Sequence, residues 1–318
     1  MGASIAAPNV YADDGVTIGG FVDGAYYNDN KTGTSSGITL DQVELDVTYS
    51  KGKTELRFDL NATPSAAGTI TSDNLIEQGY MSYAFSDLAK FTLGKFNAPI
   101  GWELLDAPDM YQYSHALVFN LGLPTNLTGA MLSGGYEMID YSIYAVNGTD
   151  TPFANAGAGN GSKGAIRTFG GRLGVTPFEG FNLGGSFITG DNIAGTYQPQ
   201  KFKTFDIDIT YSGIENLVLG GEFNDSKDWT GASLKSGGMM FMGHYDMTEM
   251  FGATLRYDMF DTDKVVAGKQ TAYTVALTSV LEEGMGALIE YRSDRDTTAA
   301  TATTGSFNSY AFEMTYSF

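Results

Sequence analysis

The sequence predicts an all-β protein: a transmembrane, antiparallel, up-and-down β-barrel of about sixteen strands, with a long third loop folded into the lumen. Three observations predict it. Apolar and polar residues alternate almost without pause. Short turns and longer loops take turns between the alternating segments. The last segment, Tyr310 to Phe318, sets Tyr310, Phe312, Met314, Tyr316 and Phe318 on one strand face and Ser309, Ala311, Glu313, Thr315 and Ser317 on the other. An aromatic face that meets lipid, on a last strand that pairs with the first, accounts for that ending. It is also the form expected of a signal for the outer-membrane assembly machinery, read at Phe318.

Composition agrees. The chain has 318 residues, with 41 Gly, 19 Tyr, 20 Phe, 8 Pro and no Cys. Mean hydropathy is −0.12, as a polar lumen averaged with a lipid face would give. Apolar runs such as Ala116 to Phe119 fall far short of the roughly 20 residues a membrane helix needs. A spanning chain must then close its strands, because open edges leave backbone groups unpaired in lipid. Without Cys there is no disulfide scaffold and no thiolate metal site. A net charge of −19 argues against nucleic acid and for attraction of cations. Residues 1–12, MGASIAAPNVYA, read as a signal-peptide remnant with an A-x-A-like cleavage site or as a flexible arm. Residues 13–318 read as one barrel.

The clearest strand is Gln42 to Tyr49. Val43, Leu45, Val47 and Tyr49 share one face; Gln42, Glu44, Asp46 and Thr48 share the other. After a turn at Ser50–Lys53, Leu56, Phe58 and Leu60 stand opposite Glu55, Arg57, Asp59 and Asn61. The same reading predicts strands at 16–28, 40–50, 53–63, 74–86, 89–97, 127–136, 138–147 and 165–176. It continues at 180–190, 202–213, 216–225, 236–246, 250–261, 270–281, 285–293 and 306–318. Short turns fall at 51–52, 87–88, near 137, 177–179, 214–215, 247–249 and 282–284; the other connections are longer. That rhythm separates a bacterial barrel from a sandwich and puts both termini on the periplasmic side. Phe205, Ile207, Ile209 and Tyr211, then Phe251, Ala253, Leu255 and Tyr257, then Tyr273, Val275 and Leu277 form clean lipid faces. Tyr49, Tyr83, Phe85, Tyr211, Tyr245 and Tyr316 recur beside the short turns, as a periplasmic aromatic girdle would.

The longest loop, 98–126, follows the fifth strand. The step Leu93-Gly-Lys-Phe96, then Pro99-Ile-Gly101, Glu103, Tyr113-Ser-His-Ala116, Phe119, Pro124 and Gly129 together resemble the β-barrel porin-2 (OmpL-like) family. Met110-Tyr-Gln-Tyr113 stands where that family commonly has an Asn before the Ser. The motif covers about 40 residues, and the resemblance implies an outer-membrane porin.

Independently of the family, the loop is too apolar for a solvated tip. Trp102, Leu104, Leu105, Leu117, Val118, Phe119 and Leu121 need cover. Folded against the wall, the loop would project Glu103, Asp106 and Asp109 into the channel as the acidic side of a constriction. The simpler reading has these acids capping a short helix or facing solvent. Arg57, Arg172, Arg256 and Arg292 are the basic residues predicted to face the lumen. Facing acids are Asp23, Glu44, Asp46, Glu55, Asp59, Asp140, Asp206, Asp208, Glu222, Asp258, Glu290 and Glu313. Charge is screened over roughly 8 Å at physiological salt, so only a narrow constriction discriminates. The acid excess predicts modest cation preference.

Catalytic chemistry is thin. His115 and His244 are the two histidines, and no Gly-x-Ser-x-Gly or His-Glu-x-x-His spacing accompanies them. Gly157 to Gly164 lacks the order of a phosphate loop, and the pairs Asp206/Asp208 and Asp225/Asp228 lack a calcium-loop frame. No cofactor, metal or enzymatic activity is expected. The predicted function is passive diffusion of ions and small hydrophilic solutes across the outer membrane of a Gram-negative bacterium. Outer-membrane lipid and lipopolysaccharide would surround the wall. Porins of this size commonly form homotrimers, although no strand face here marks a subunit interface. A plugged structural or adhesin barrel and a barrel-embedded hydrolase are the alternatives.

Overall fold

A computed structural model describes residues 14–30, 36–62, 75–149, 167–192, 200–230, 233–265, 268–297 and 305–318. The expectation for residues 1–12 lies outside these. The described chain forms β1 (Gly15–Asp29), β2 (Gly37–Lys51), β3 (Thr54–Ala62), β4 (Ile76–Ser86) and β5 (Ala89–Asn97). Next come a 3₁₀ turn (Ala107–Asp109) and a short helix α1 (Leu117–Gly122). They are followed by β6 (Asn126–Tyr136), β7 (Ile139–Thr149), β8 (Thr168–Phe178), β9 (Phe181–Asn192), β10 (Gln200–Ile214) and β11 (Leu217–Lys227). The sheet ends with β12 (Lys235–Asp246), β13 (Phe251–Asp261), β14 (Gln270–Glu282), β15 (Met285–Asp296) and β16 (Gly305–Ser317).

Each strand pairs antiparallel with its neighbours in sequence, and β1 pairs with β16 to close the barrel. The closing register runs from Phe21↔Ser317 to Asp29↔Ser309. Closure leaves no edge whose backbone would need a partner in lipid. The Phe318 amide donates to the Gly20 carbonyl at 3.1 Å, extending the seam by one residue. No helix among the described residues is long and apolar enough to cross a membrane, which leaves crossing by strands untouched.

The period of two sorts the side chains. Outward residues are apolar and exposed: Phe205, Ile207 and Ile209 on β10, Phe251 and Leu255 on β13, Tyr273, Val275 and Leu277 on β14. Their neighbours Asp206, Asp208, Thr254, Arg256, Thr274 and Ala276 are buried. Tyr49, Tyr83, Phe85, Tyr245 and Tyr316 are exposed next to the short turns. Tight turns use positive backbone φ where it is needed, at Gly180 (+78°), Gly284 (+76°), Glu137 (+54°) and Asn216 (+62°).

The interior differs from the expected one in one respect. It is not polar throughout. Val146, Ile188, Phe202, Met240, Met242, Phe260 and Ala272 point inward from β7, β9, β10 and β12 to β14. They form one buried apolar cluster with Ile100, Leu117, Val118, Leu123 and Trp229. These strands carry apolar residues on both faces, as in Met239-Met-Phe-Met242, because residues 98–125 cover that part of the wall.

Candidate functional site

Residues 98–125 leave β5 and return to β6, with the Ala98 amide donating to the Thr125 carbonyl at the base, 2.8 Å. Between these points the segment is fastened to inward-facing side chains. At Gly101, φ is +84°, and a Cβ there would lie 2.5 Å from Leu123 Cδ1. Only glycine takes this conformation at so close an approach without strain. The next amide, Trp102 N–H, donates to Glu222 Oε2 at 2.9 Å. The Trp102 ring lies over Gly220 of β11, where a Cβ would sit 2.6 Å away.

Glu103 is the hub of the segment. Its Oε1 accepts from Arg256 Nη1 at 3.1 Å and from Gln112 Nε2 at 3.0 Å. Its Oε2 accepts from the Ala116 amide at 2.8 Å and lies 3.4 Å from His115 Nδ1. Burial opposes ionisation of Glu103, but His115, Arg256 and the Ala116 amide outweigh it and hold the carboxyl below its ordinary range.

Wall carboxylates capture further backbone. Glu290 accepts from the Ser114 amide at 3.0 Å, and Asp258 accepts from the Leu117 amide at 2.9 Å. That second bond satisfies an orphan donor at the start of α1. Arg256 donates to the Ser114 carbonyl and Arg292 to the His115 carbonyl, the latter at 2.9 Å. Trp229 Nε1 donates to the Leu121 carbonyl at 3.0 Å. Tyr113 Oη donates to Asp41 at 3.0 Å. The segment thus touches β2, β11, β13 and β15 through specific bonds.

The predicted site residues fall into two groups. Glu103, Arg256 and Arg292 are enclosed, with side chains 3%, 0% and 9% exposed. Arg256 also bonds Asp258 at 3.1 Å, and Arg292 bonds Asp294 at 3.0 Å. Arg172 is enclosed too, gripped by both oxygens of Asp208. Arg57 is the most open of the four arginines at 32%, bonded to Asp59 at 2.8 Å. Asp109 is exposed, and Asp106 is half-buried ahead of the 3₁₀ turn, making no capping bond through its side chain.

Asp106 meets the wall acids of β2 to β4. Glu44, Glu77 and Asp106 each bring an oxygen within 4.8 Å of the others, and so do Glu44, Asp46 and Asp59. Those are the sets of described residues with the geometry to hold a cation. Burial, then the Glu77, Asp109 and Asp46 carboxylates, pushes Asp106 up to about 7, against the pull of Arg57.

Sequence reasoning missed two members of this acidic wall. Glu77 and Gln78 are both buried although consecutive, because the β3–β4 register shifts opposite Asp59/Leu60. Asp41 lies where the β1–β2 register shifts between Asp23 and Gly24. Bulges break the period of two that the reading depends on.

Both histidines are held by stacking and by polar neighbours. His115 stacks on Phe119 at 4.0 Å. His244 lies between Thr254 Oγ1 at 2.8 Å and Asp246 at 3.1 Å, and stacks on Tyr111 at 4.1 Å. The buried Thr254 hydroxyl donates its proton to the Tyr111 carbonyl at 2.9 Å. It therefore accepts from the imidazole, the reverse of what an activated nucleophile requires.

The fold has close counterparts among solved structures. The anion-selective porin from Comamonas acidovorans is 14% identical, with 96% of this chain and 100% of that one covered, at a TM-score of 0.71. OmpF of Salmonella typhi, solved as a complex with daunomycin, is 11% identical, with 95% and 97% covered, at 0.70. A loop-deletion mutant of OmpT, an outer membrane protein of Vibrio cholerae, is 12% identical, with 96% and 99% covered, at 0.68. At such identities the likeness is one of fold. Among curated proteins no relative matches. Residues 15–318 match the family described as "Putative beta-barrel porin-2, OmpL-like". The chain thus belongs to that family of outer-membrane porins.

Proposed function

We propose that this porin passes ions and small hydrophilic solutes by passive diffusion, with residues 98–125 as its filter and a modest preference for cations. One observation carries the charge preference. Of the four inward arginines, Arg172, Arg256 and Arg292 are enclosed in bonds to Asp208, Asp258 and Asp294, and Arg57 alone is substantially open. Asp46, Asp106 and Asp109 stand at or near the same surface with acid in excess. A narrow acidic passage favours cations because screening acts over roughly 8 Å.

The filter reading is supported by the way the segment is held. A segment bonded at Trp102, Glu103, Ser114 and Leu117 is a fixed part of the wall rather than a waving loop. No catalytic role enters this reading. The test is single-channel recording in a planar bilayer under a salt gradient. Discrete openings with a cation-favouring reversal potential are expected. A folded barrel that never opens would favour a plugged structural role, and an anion-favouring potential would overturn the charge assignment.

A further inference from the structure

Between residues 97–112 and the ends of β8 to β11 lies a cavity of about 550 Å³. Its lining includes Glu179 and Gly180 of the β8–β9 turn, so it belongs to the short-turn end of the barrel. Its size falls within the range of small-molecule sites, roughly 300–1,000 Å³. The loop side offers Trp102, Leu104, Leu105 and Tyr111, all only partly buried. Trp102 rests one face on Gly220, and Tyr111 rests one face on His244, so both rings are held in place.

The charges around it are unbalanced. Arg172, the one basic residue in the lining, is neutralised by Asp208. Asp109 and Glu179, both exposed, join no ion pair among the described residues. An apolar, aromatic floor beside unpaired carboxylates suits a ligand with a flat apolar body and a positive charge. Aromatic faces attract such cations, and more strongly where water is excluded.

We infer that this cavity binds organic cations of the aryl-alkyl ammonium class, entering from the short-turn end. The inference rests on the porin reading and names a class of solute for it. Phenethylammonium is the probe, with ethylammonium and 3-phenylpropionate as controls that lack the ring or reverse the charge. Added on the short-turn side of a conducting bilayer, phenethylammonium should reduce the current saturably. Its half-blocking concentration should be roughly tenfold lower than that of ethylammonium, the factor expected for about 1.4 kcal/mol of ring contact, and lower than that of 3-phenylpropionate, whose charge the carboxylates repel. Asp109→Asn and Leu104→Ser should each raise it severalfold.

A second readout does not need conduction. Trp229 is 1% exposed, so a saturable change in tryptophan emission of the detergent-folded protein reports Trp102. Normal openings with equal or absent effects of all three probes would overturn the inference and leave the porin reading standing. Absent openings would defeat the porin reading, and the emission titration would then decide the cavity by itself. An emission titration with no saturation overturns the inference in either case.

Discussion

Arg256 Nη1 lies 3.1 Å from Glu103 Oε1, and the two side chains are 0% and 3% exposed. They are 153 residues apart in sequence. Each is hydrogen-bonded on further sides: Arg256 by Asp258 and Ser114, Glu103 by Gln112 and Ala116. Losing one partner leaves Arg256 with Asp258, or Glu103 with His115 and the Ala116 amide, so the cost is part of the about 3–5 kcal/mol expected when a buried charge is left with no partner.

Glu103→Gln and Arg256→Gln should therefore each destabilise the folded barrel by about 1–3 kcal/mol, and the double variant by less than their sum. Unfolding midpoints in urea, followed by heat-modifiable gel mobility, measure this. Additive effects would show that the pair is not coupled.

Gly101→Ala tests the approach of the loop to the wall. At φ +84° an added methyl meets Leu123 and crowds Glu222. The bond from the Trp102 amide to Glu222 should weaken, and single-channel steps should become larger or noisier at unchanged strand content. Wild-type steps from this variant would refute the tether.

Asp106 should make selectivity depend on pH. Its carboxyl is pushed up to about 7 by burial and neighbouring acids. It is neutral below that pH and charged above it, so cation preference should strengthen as pH rises through 7. The folded state also holds a proton that the unfolded chain releases near pH 3.8. Asp106 thus contributes stability at low pH that is lost as pH rises from about 4 to about 7. Asp106→Asn should flatten both profiles. A reversal potential that titrates identically in the variant would exclude Asp106 as the source.

Arg57→Gln removes the most open of the four inward arginines. Cation preference should increase, with a moderate loss of stability because Asp59, 1% exposed, is left with Gln78 as its remaining donor. Arg292→Gln should lower stability with little direct effect on the reversal potential, because its charge is enclosed. Paired reversal-potential and urea measurements separate the two outcomes.

Most of the fold was legible in the residues. The sixteen strands lie within three residues of the predicted bounds, since closed strands between water and lipid impose strict alternation. The site was less so. Alternation places Arg57 and Arg256 on the same side of the wall but is silent on which of them a distant segment covers. That depends on three-dimensional contact with Glu103. Glu77 was lost to a register shift, which inverts the alternation locally. One signal was present and underread. Met240 and Met242 are inward yet apolar, and an apolar inner face on a porin wall marks where something packs against it.

The fastening of residues 98–125 also bears on the order of assembly. Nearly all their anchors, from Glu222 through Asp258 and Arg256 to Glu290 and Arg292, come later in the chain. The segment lacks most of its polar anchors until β11 to β15 stand side by side. Such distant contacts form late and slowly. Seating of the segment should therefore come late, and a chain halted before β11 would carry an apolar stretch that lacks most of its anchors.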